Sequence, residues 1–263
     1  MTTAVPGPRL RPRGPLPGGR PAGPARGPLL WVVRTPEPGA PPDGSALDVL
    51  DEDERRRAAA LRRPAERALY VAAHGALRRV LGTYLGLPAA SVPLTRLPCP
   101  GCGGPHGRPA VAGPAGADLH FSLSHSGGLA LLALARVPVG VDVERVPGPA
   151  LAEDAARSLH PAERAELARV SPGSRPGAFA RCWTRKEACL KATGEGLSAA
   201  ALRERYLGTG PRPAGLPGWT VTDVVVPAGW AAACVVRGLV SGPAAPRVRR
   251  PVPCASTGSR DRR

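Results

Sequence analysis

Isoleucine, asparagine and glutamine are missing from this chain, and lysine occurs only at positions 186 and 191. Arginine supplies every other basic side chain apart from histidine, so the composition favours arginine wherever a generic cation suffices. Lysine is a compact and mobile point charge, and its survival at two positions indicates a local need for that chemistry. Both lysines flank Glu187 in the segment Trp183-Thr-Arg-Lys-Glu-Ala-Cys-Leu-Lys191, which is therefore the first candidate for a functional site.

Long hydrophobic runs are also lacking. No apolar run approaches the roughly 20 residues of a membrane-spanning helix, and Leu29–Val33 is too short for the apolar region of a secretory signal. The six cysteines are scattered, apart from Cys99 and Cys102, and do not predict a disulfide framework. We therefore predict a soluble, cytoplasmic protein that does not bind membranes.

Acidic residues are scarce at both ends of the chain, where prolines and glycines concentrate. Residues 1–28 contain five arginines and no acid, and residues 241–263 contain six arginines and one aspartate. Both compositions predict disordered tails. Each tail carries a net charge of +5, so about six of the 16 net positive charges fall on residues 29–240. This moderately basic core suits a phosphorylated ligand, an acidic protein or nucleic acid.

The order of apolar patterns predicts an α+β protein. Stripes at helical spacing predict helices over 45–61, 64–86, 150–159, 161–170 and 176–193. Runs with strand character cover 29–34, 119–123, 129–136, 139–144, 219–226 and 230–237, and residues 98–114 read as a loop. This order indicates two similar halves, 29–137 and 138–240, that meet near Pro138.

Carboxylates alternate with valines in Val139-Gly-Val-Asp-Val-Glu144. On a strand this alternation puts Asp142 and Glu144 on one face, where they can converge on one Mg²⁺ ion. The exposed polar face of an edge strand would have the same pattern. Glu187 and Lys191 lie four residues apart, which also suits a surface ion pair of about 0.3–0.5 kcal/mol on a helix. Glu187, as a third carboxylate on a separate element, favours the metal interpretation.

Two further segments carry polar side chains after apolar runs. Ser124 and His125 lie in Phe121-Ser-Leu-Ser-His-Ser126, followed by two glycines, and such a turn can direct backbone N–H groups at a phosphate. A Ser–His nucleophile pair is the competing interpretation, but it lacks a third partner. The segment Cys99-Pro-Gly-Cys-Gly-Gly-Pro-His106 resembles half a zinc knuckle, and a structural zinc site needs four ligands. A rigid loop that presents Arg108 is the favoured interpretation.

Four motifs together resemble those of the Sfp-type (group II) 4′-phosphopantetheinyl transferases, in order and in spacing. The resemblance covers residues 29–240, and its last motif, W-x-x-K-E-A-x-x-K, is highly specific. The matching segments are Gly107-Arg-Pro109, Phe121-Ser-Leu-Ser-His-Ser126, Val139-Gly-Val-Asp-Val-Glu144, and Trp183 to Lys191 followed by Gly194-Glu-Gly-Leu197.

The resemblance implies a pseudo-dimeric α+β monomer that holds coenzyme A between its halves. The implied reaction transfers the phosphopantetheine arm to a serine of an apo acyl or peptidyl carrier protein and releases adenosine 3′,5′-bisphosphate. Asp142, Glu144 and Glu187 match the family's ligands for Mg²⁺, with Mn²⁺ as an open alternative. Glu187 also matches the group that activates the serine, and Lys191 matches the lysine at the transferred phosphate.

The resemblance also implies contacts to coenzyme A from Lys186, His125, Ser124, Arg108 and Asp142. One departure from the family pattern concerns an arginine for the 3′-phosphate, at whose position this chain has Leu69. We predict that Arg63 or Arg67 substitutes for it.

Two other functions are consistent with the sequence. One is a basic nucleic-acid-binding protein, although the nine aromatic residues are not interleaved with the basic runs, which disfavours stacking on single strands. The other is a family member that binds coenzyme A without transferring it. The carrier protein stays open among polyketide, nonribosomal-peptide, siderophore and fatty-acid systems.

Overall fold

The computed structural model describes residues 27–35, 44–105, 107–196, 198–238 and 247–249, and these form the predicted α+β fold. Its helices are α1 Gly44–Asp48, α2 Glu52–Ala60, α3 Pro64–Leu85, α4 Pro149–Ala156, α5 Pro161–Arg169, α6 Arg175–Thr193 and α7 Ala199–Glu204. Its strands are β1 Leu29–Arg34, β2 Leu94–Arg96, β3 Pro109–Val111, β4 His120–Ser126, β5 Leu129–Ala135, β6 Val139–Arg145, β7 Trp219–Asp223, β8 Trp230–Arg237 and β9 Arg247–Arg249. His106, Leu197 and the remainder of both predicted tails lie outside the described residues.

Two sheets form the centre of the fold. The first has the order β4-β5-β1-β9, and the second has the order β6-β8-β7. A shared apolar cluster joins them, with Leu131 and Ala133 of β5 packed among Val141 and Val143 of β6. The Val141 amide also donates to Ser122 Oγ of β4, at 3.0 Å. The predicted boundary between residues 137 and 138 falls in the turn between these two sheets.

One long helix covers each sheet. Helix α3 packs Leu77 and Leu81 against Leu132 and Leu134 of β5. Helix α6 packs Ala188 and its buried neighbours against Ala233 and Val235 of β8. In the part of the chain that the structure describes, no helix combines the length and apolarity needed to cross a bilayer.

Gly140 allows α6 to approach β6 closely. A Cβ atom at position 140 would lie 2.0 Å from the Ala188 carbonyl oxygen and 2.4 Å from the Ala192 nitrogen, distances that no side chain tolerates. Position 140 therefore requires glycine because helix backbone fills the space that a side chain would occupy. This close approach brings the carboxylates of β6 beside the side chains of α6.

Local chemistry explains where the structure departs from the predicted elements. The single helix predicted over 45–61 is wrong: α1 ends at Asp48, and Asp51 starts α2 by accepting the Glu54 amide at 2.8 Å in a capping box. Residues 94–96 and 109–111 pair as a hairpin that bounds a shorter loop than predicted. Arg247–Arg249, which we predicted to be disordered, instead pair in parallel with β1, where an open strand edge offers backbone partners.

We predict that Gly140→Ala destabilises the protein by about 2–3 kcal/mol, because the added methyl group overpacks the contact between α6 and β6. Gly177→Ala is the matched control: its Cβ atom would meet nothing within 4 Å, and alanine favours the helix. Urea denaturation monitored by circular dichroism measures both variants. A Gly140→Ala variant as stable as the control would contradict this packing.

Candidate active site

The site forms where β4 and β6 meet the second half of α6. Asp142 on β6 is 1% exposed, and its Oδ1 atom accepts hydrogen bonds from Ser124 Oγ at 2.7 Å and from Lys191 Nζ at 2.6 Å. Lys191 also donates to Ser124 Oγ, at 3.0 Å. The structure therefore brings together three residues that the sequence placed on three separate elements.

Glu144 and Glu187 share the electrostatic field of Asp142. Burial raises the pKa of Glu187 to about 7, and the charges of Asp142 and Glu144 add to this shift while Lys191 opposes it. Burial also raises the pKa of Glu144, against a hydrogen bond from Ser126. The site thus carries more negative charge than its single lysine compensates.

One carboxylate oxygen at the site has no hydrogen-bond partner within the protein. Asp142 Oδ2 is buried and has no hydrogen-bond partner, and a buried carboxylate oxygen without a partner is costly. Oxygen donors with excess negative charge suit a hard divalent cation such as Mg²⁺. Among the described residues, however, no three His, Cys, Asp or Glu side chains are gathered closely enough to hold a metal ion. The predicted metal ligands are electrostatic neighbours, and the ligand set stays a prediction.

His125 lies at the edge of the site, against α3. Its ring packs edge-on against Tyr70, at 6.2 Å between centroids, and Tyr70 stacks on His74. Desolvation on this side lowers the pKa of His125, and the nearby His74 and Lys191 lower it further. A neutral imidazole that gains a proton when an anion arrives suits the predicted phosphate contact.

Lys186, predicted to contact coenzyme A, is placed in a buried ion pair, and its contact to coenzyme A stays a prediction. Its ammonium group is 1% exposed and donates to Glu163 Oε2 and the Leu202 carbonyl, both at 2.8 Å, and to the Arg205 carbonyl. These three acceptors satisfy all three N–H donors. Lys186 thus faces α5 and α7, away from Lys191. Five residues along an α-helix correspond to a rotation of about 140° about the helix axis, so the spacing in the sequence already indicates that the two lysines point to different sides of α6.

Arg63 and Arg67 have partners of their own. Arg63 pairs with Glu66 at 2.9 Å on the surface, and Arg67 donates to the Leu61 carbonyl at 2.9 Å, which ties α3 to the end of α2. Leu69 is buried in the core between α3 and the first sheet, so an arginine could not occupy that position without disrupting the core. The substitution of either arginine for the missing family residue stays a prediction.

Arg108 lies outside the Asp142 cluster, beside the C-terminal end of α6. Its Nη1 atom donates to the Ala192 carbonyl at 3.0 Å. It lines a cavity of about 580 Å³ together with Thr193, Gly194 and Arg237. Burial lowers the pKa of Arg108, and the positive charge of Arg237 lowers it further.

Two serines were missed in the sequence. Ser122 Oγ accepts a hydrogen bond from the Val141 amide. Ser126 Oγ accepts one from the Arg145 amide, at 3.4 Å, and the Ser126 hydroxyl donates to the Glu144 carboxylate. The turn predicted for Ser124 and His125 is wrong, because both pair with β5 as part of β4. Ser122, Ser124 and Ser126 therefore alternate along β4 and share the face that meets β6. The Ser-x-Ser-x-Ser spacing in the motif carried that information.

Comparison with known proteins identifies the relatives of this chain. Residues 138–206 match the 4′-phosphopantetheinyl transferase superfamily. The chain is 32% identical over 216 residues to the 4′-phosphopantetheinyl transferase HetI of Nostoc sp.. The aligned region covers 80% of this chain and 87% of HetI. It is 29% identical over 173 residues to a putative 4′-phosphopantetheinyl transferase of Synechocystis sp., covering 65% and 66%. Sfp of Bacillus subtilis is 32% identical over 93 residues, 35% of this chain and 40% of Sfp.

We predict that Lys186→Met lowers the free energy of unfolding by about 3–5 kcal/mol, because Glu163 would stay buried without its cation. The Glu163→Gln/Lys186→Met double variant removes both charges and should recover part of the loss. Urea denaturation measures the three proteins. A Lys186→Met variant as stable as the parent chain would contradict this structural role of the ion pair.

Proposed function

The chain belongs to the 4′-phosphopantetheinyl transferases, and on that premise we propose that it moves the phosphopantetheine arm of coenzyme A onto a serine of an apo carrier protein with the help of Mg²⁺. The observation that carries the proposal is the Asp142 cluster. One buried carboxylate binds Ser124 and Lys191 through one oxygen, leaves the other oxygen unpartnered, and sits beside two further carboxylates with raised pKa values.

The residues divide the chemistry among them. The serine oxygen of the carrier attacks the phosphorus that bears the pantetheine arm, and the bond from that phosphorus to the adenosine bisphosphate breaks. Lys191 stabilises negative charge on the transferred phosphate, since its ammonium already lies at the site on a flexible stem. Glu187 takes the serine proton, because a carboxylate within hydrogen-bond reach of the incoming hydroxyl can act as its base.

Asp142, Glu144 and Glu187 would hold Mg²⁺ after a rotation of their side chains, because as placed they share an electrostatic field but do not gather into a three-ligand cluster. The metal would supply a positive charge beside the pyrophosphate and so improve the bisphosphate as a leaving group. Ser124 holds Asp142 in position by its hydrogen bond, and His125 offers a donor to a phosphate oxygen once it is protonated. The basic core fits an acidic carrier protein, because complementary charge speeds the encounter.

We predict that Lys191→Met lowers kcat/KM for transfer at least about 100-fold, the typical cost of removing a group that stabilises charge in a transition state. The assay incubates the protein with Mg²⁺, coenzyme A and a panel of apo carriers, and mass spectrometry detects the phosphopantetheine increment. Arg164→Met, which removes an exposed cation of α5, is the control. If no carrier gains mass with the parent protein, transfer is refuted and coenzyme A binding alone is left.

We predict that Glu187→Gln raises the melting temperature of the metal-free protein at pH 8, by about 2–6 °C, equivalent to about 1–2 kcal/mol. The folded state raises the pKa of Glu187 from 4.5 to about 7. It therefore binds the proton more tightly than the unfolded chain, so the parent protein loses stability as the pH rises from 4.5 to 7. The advantage of the variant should be full above this window and vanish below it.

Scanning calorimetry in EDTA across this pH range measures the effect, and Glu153→Gln, at an exposed carboxylate of α4, is the control. Added Mg²⁺ should raise the melting temperature of the parent protein and leave that of Glu187→Gln nearly unchanged. Equal stabilisation of both proteins by Mg²⁺ would exclude Glu187 as a ligand.

A further inference from the structure

A pair of cysteines lies in the loop between β2 and β3, outside the Asp142 cluster. The loop is closed at its base by two hydrogen bonds, from the Leu97 amide to the Arg108 carbonyl at 3.0 Å and from the Gly107 amide to the Leu97 carbonyl at 2.9 Å. Cys99 and Cys102, both reduced, lie near the tip. The function proposed above uses neither thiol.

Backbone hydrogen bonds fold residues 99–104 into a tight turn that contains both cysteines. The Cys99 amide donates to the Gly104 carbonyl at 2.8 Å, and the Gly103 amide donates to the Cys99 carbonyl at 2.7 Å. Gly103 has φ +75°, a value that glycine adopts readily, and it turns the chain back after Cys102. The resulting tight turn brings the Cys102 side chain near enough to the Cys99 sulfur to lower the pKa of its thiol.

The Cys99 sulfur is prepared to carry charge. The backbone amides of Cys102 and Gly101 donate to it and lower the pKa of its thiol, and the Cys102 thiol lowers it further. Thiolate is the nucleophilic form of cysteine, so this environment suits Cys99 to the second attack, on a sulfur already bound to Cys102.

The two cysteines of the pair differ in solvent exposure, and both are more exposed than the other described cysteines. Cys102 is exposed, whereas Cys99 is buried and only 7% exposed. Cys182, Cys189 and Cys234 are at most 2% exposed, inside the cores around α6 and β8. A soluble reagent therefore meets Cys102 first and Cys99 second.

We propose that Cys99 and Cys102 form a reversible dithiol–disulfide pair that exchanges with low-molecular-weight disulfides. The Cys102 thiolate attacks one sulfur of the reagent disulfide, which forms a mixed disulfide and releases one thiolate. The Cys99 thiolate then attacks the Cys102 sulfur, forms the internal disulfide and releases the second thiolate. Two electrons pass to the reagent, and the two cysteine protons end on the two released thiols.

The alternative occupant of a Cys-x-x-Cys turn is a thiophilic metal ion. A structural zinc site needs four ligands, and among the residues with described positions no group of three potential ligands is close enough to form a site. A disulfide needs only the two cysteines that the turn already holds as neighbours. The described residues therefore favour redox chemistry over metal binding.

Closure of the disulfide would stiffen a wall of the 580 Å³ cavity, because Pro98 and Pro100 line it together with Arg108 at the base of the same loop. A covalent bond across the turn restricts the conformations open to these residues. An effect on coenzyme A binding rests on the proposed function, whereas the exchange reaction does not.

The test uses the full chain with Cys254→Ser, so that the cysteine outside the described residues cannot compete. The protein is equilibrated with reduced and oxidised glutathione at a series of ratios, quenched with an alkylating agent and mapped by peptide mass spectrometry. We expect one internal disulfide, between Cys99 and Cys102, that reverses with reduced glutathione. Cys182, Cys189 and Cys234 should be alkylated only after denaturation.

Two single variants give the matched controls. Cys99→Ser should retain one glutathione on Cys102, because nothing resolves the mixed disulfide, and Cys102→Ser should react at least about tenfold more slowly, because its remaining thiol is buried. A parallel titration with Co²⁺, followed by thiolate-to-metal absorption, tests the alternative. The proposal is overturned if Cys99 and Cys102 stay reduced at every ratio, or if one equivalent of metal binds and blocks the exchange.

Discussion

The contact between α6 and β6 at Gly140 is the constraint on which the site depends. Helix backbone occupies the volume of the missing side chain, so the carboxylates two and four residues further along β6 lie beside Glu187 and Lys191. A side chain at position 140 would push the helix away by the width of a methyl group, and the bonds from Lys191 to Asp142 and Ser124 would not survive that shift.

Bringing these groups together is electrostatically unfavourable, and the raised pKa values of Glu144 and Glu187 record that cost. Lys191 offsets part of this cost through its bond to Asp142 Oδ1. It does not reach Asp142 Oδ2, which is buried without a hydrogen-bond partner. Stability lost at a site in this way is commonly linked to function, since a bound cation or phosphate can recover it. One oxygen of Asp142 accepts hydrogen bonds from a hydroxyl on β4 and from an ammonium on α6, and these two bonds position the carboxylate from within the protein.

The sequence predicted the framework well because the framework is built from local signals. Gly86 ends α3 in the left-handed conformation, and Pro64 opens it, as the pattern predicted. The alternation in β6 placed Asp142 and Glu144 on one face, and the motif order indicated the family. Long-range partners were harder to predict. Nothing near Glu163 in the sequence signals that its carboxylate meets Lys186 and the amides of Leu207 and Gly208.

The two lysines also show that long-range partners are hard to predict from sequence. Their rarity singled out both positions, but the structure places the two side chains in different surroundings. Lys186 fills a buried position with three acceptors around one nitrogen, where a planar guanidinium would find neither the room nor the geometry. Lys191 keeps its ammonium at the site, one third exposed, where a mobile charge can follow a phosphate. Composition can select both residues, and only the rotation between them along α6 separates the structural lysine from the lysine at the site.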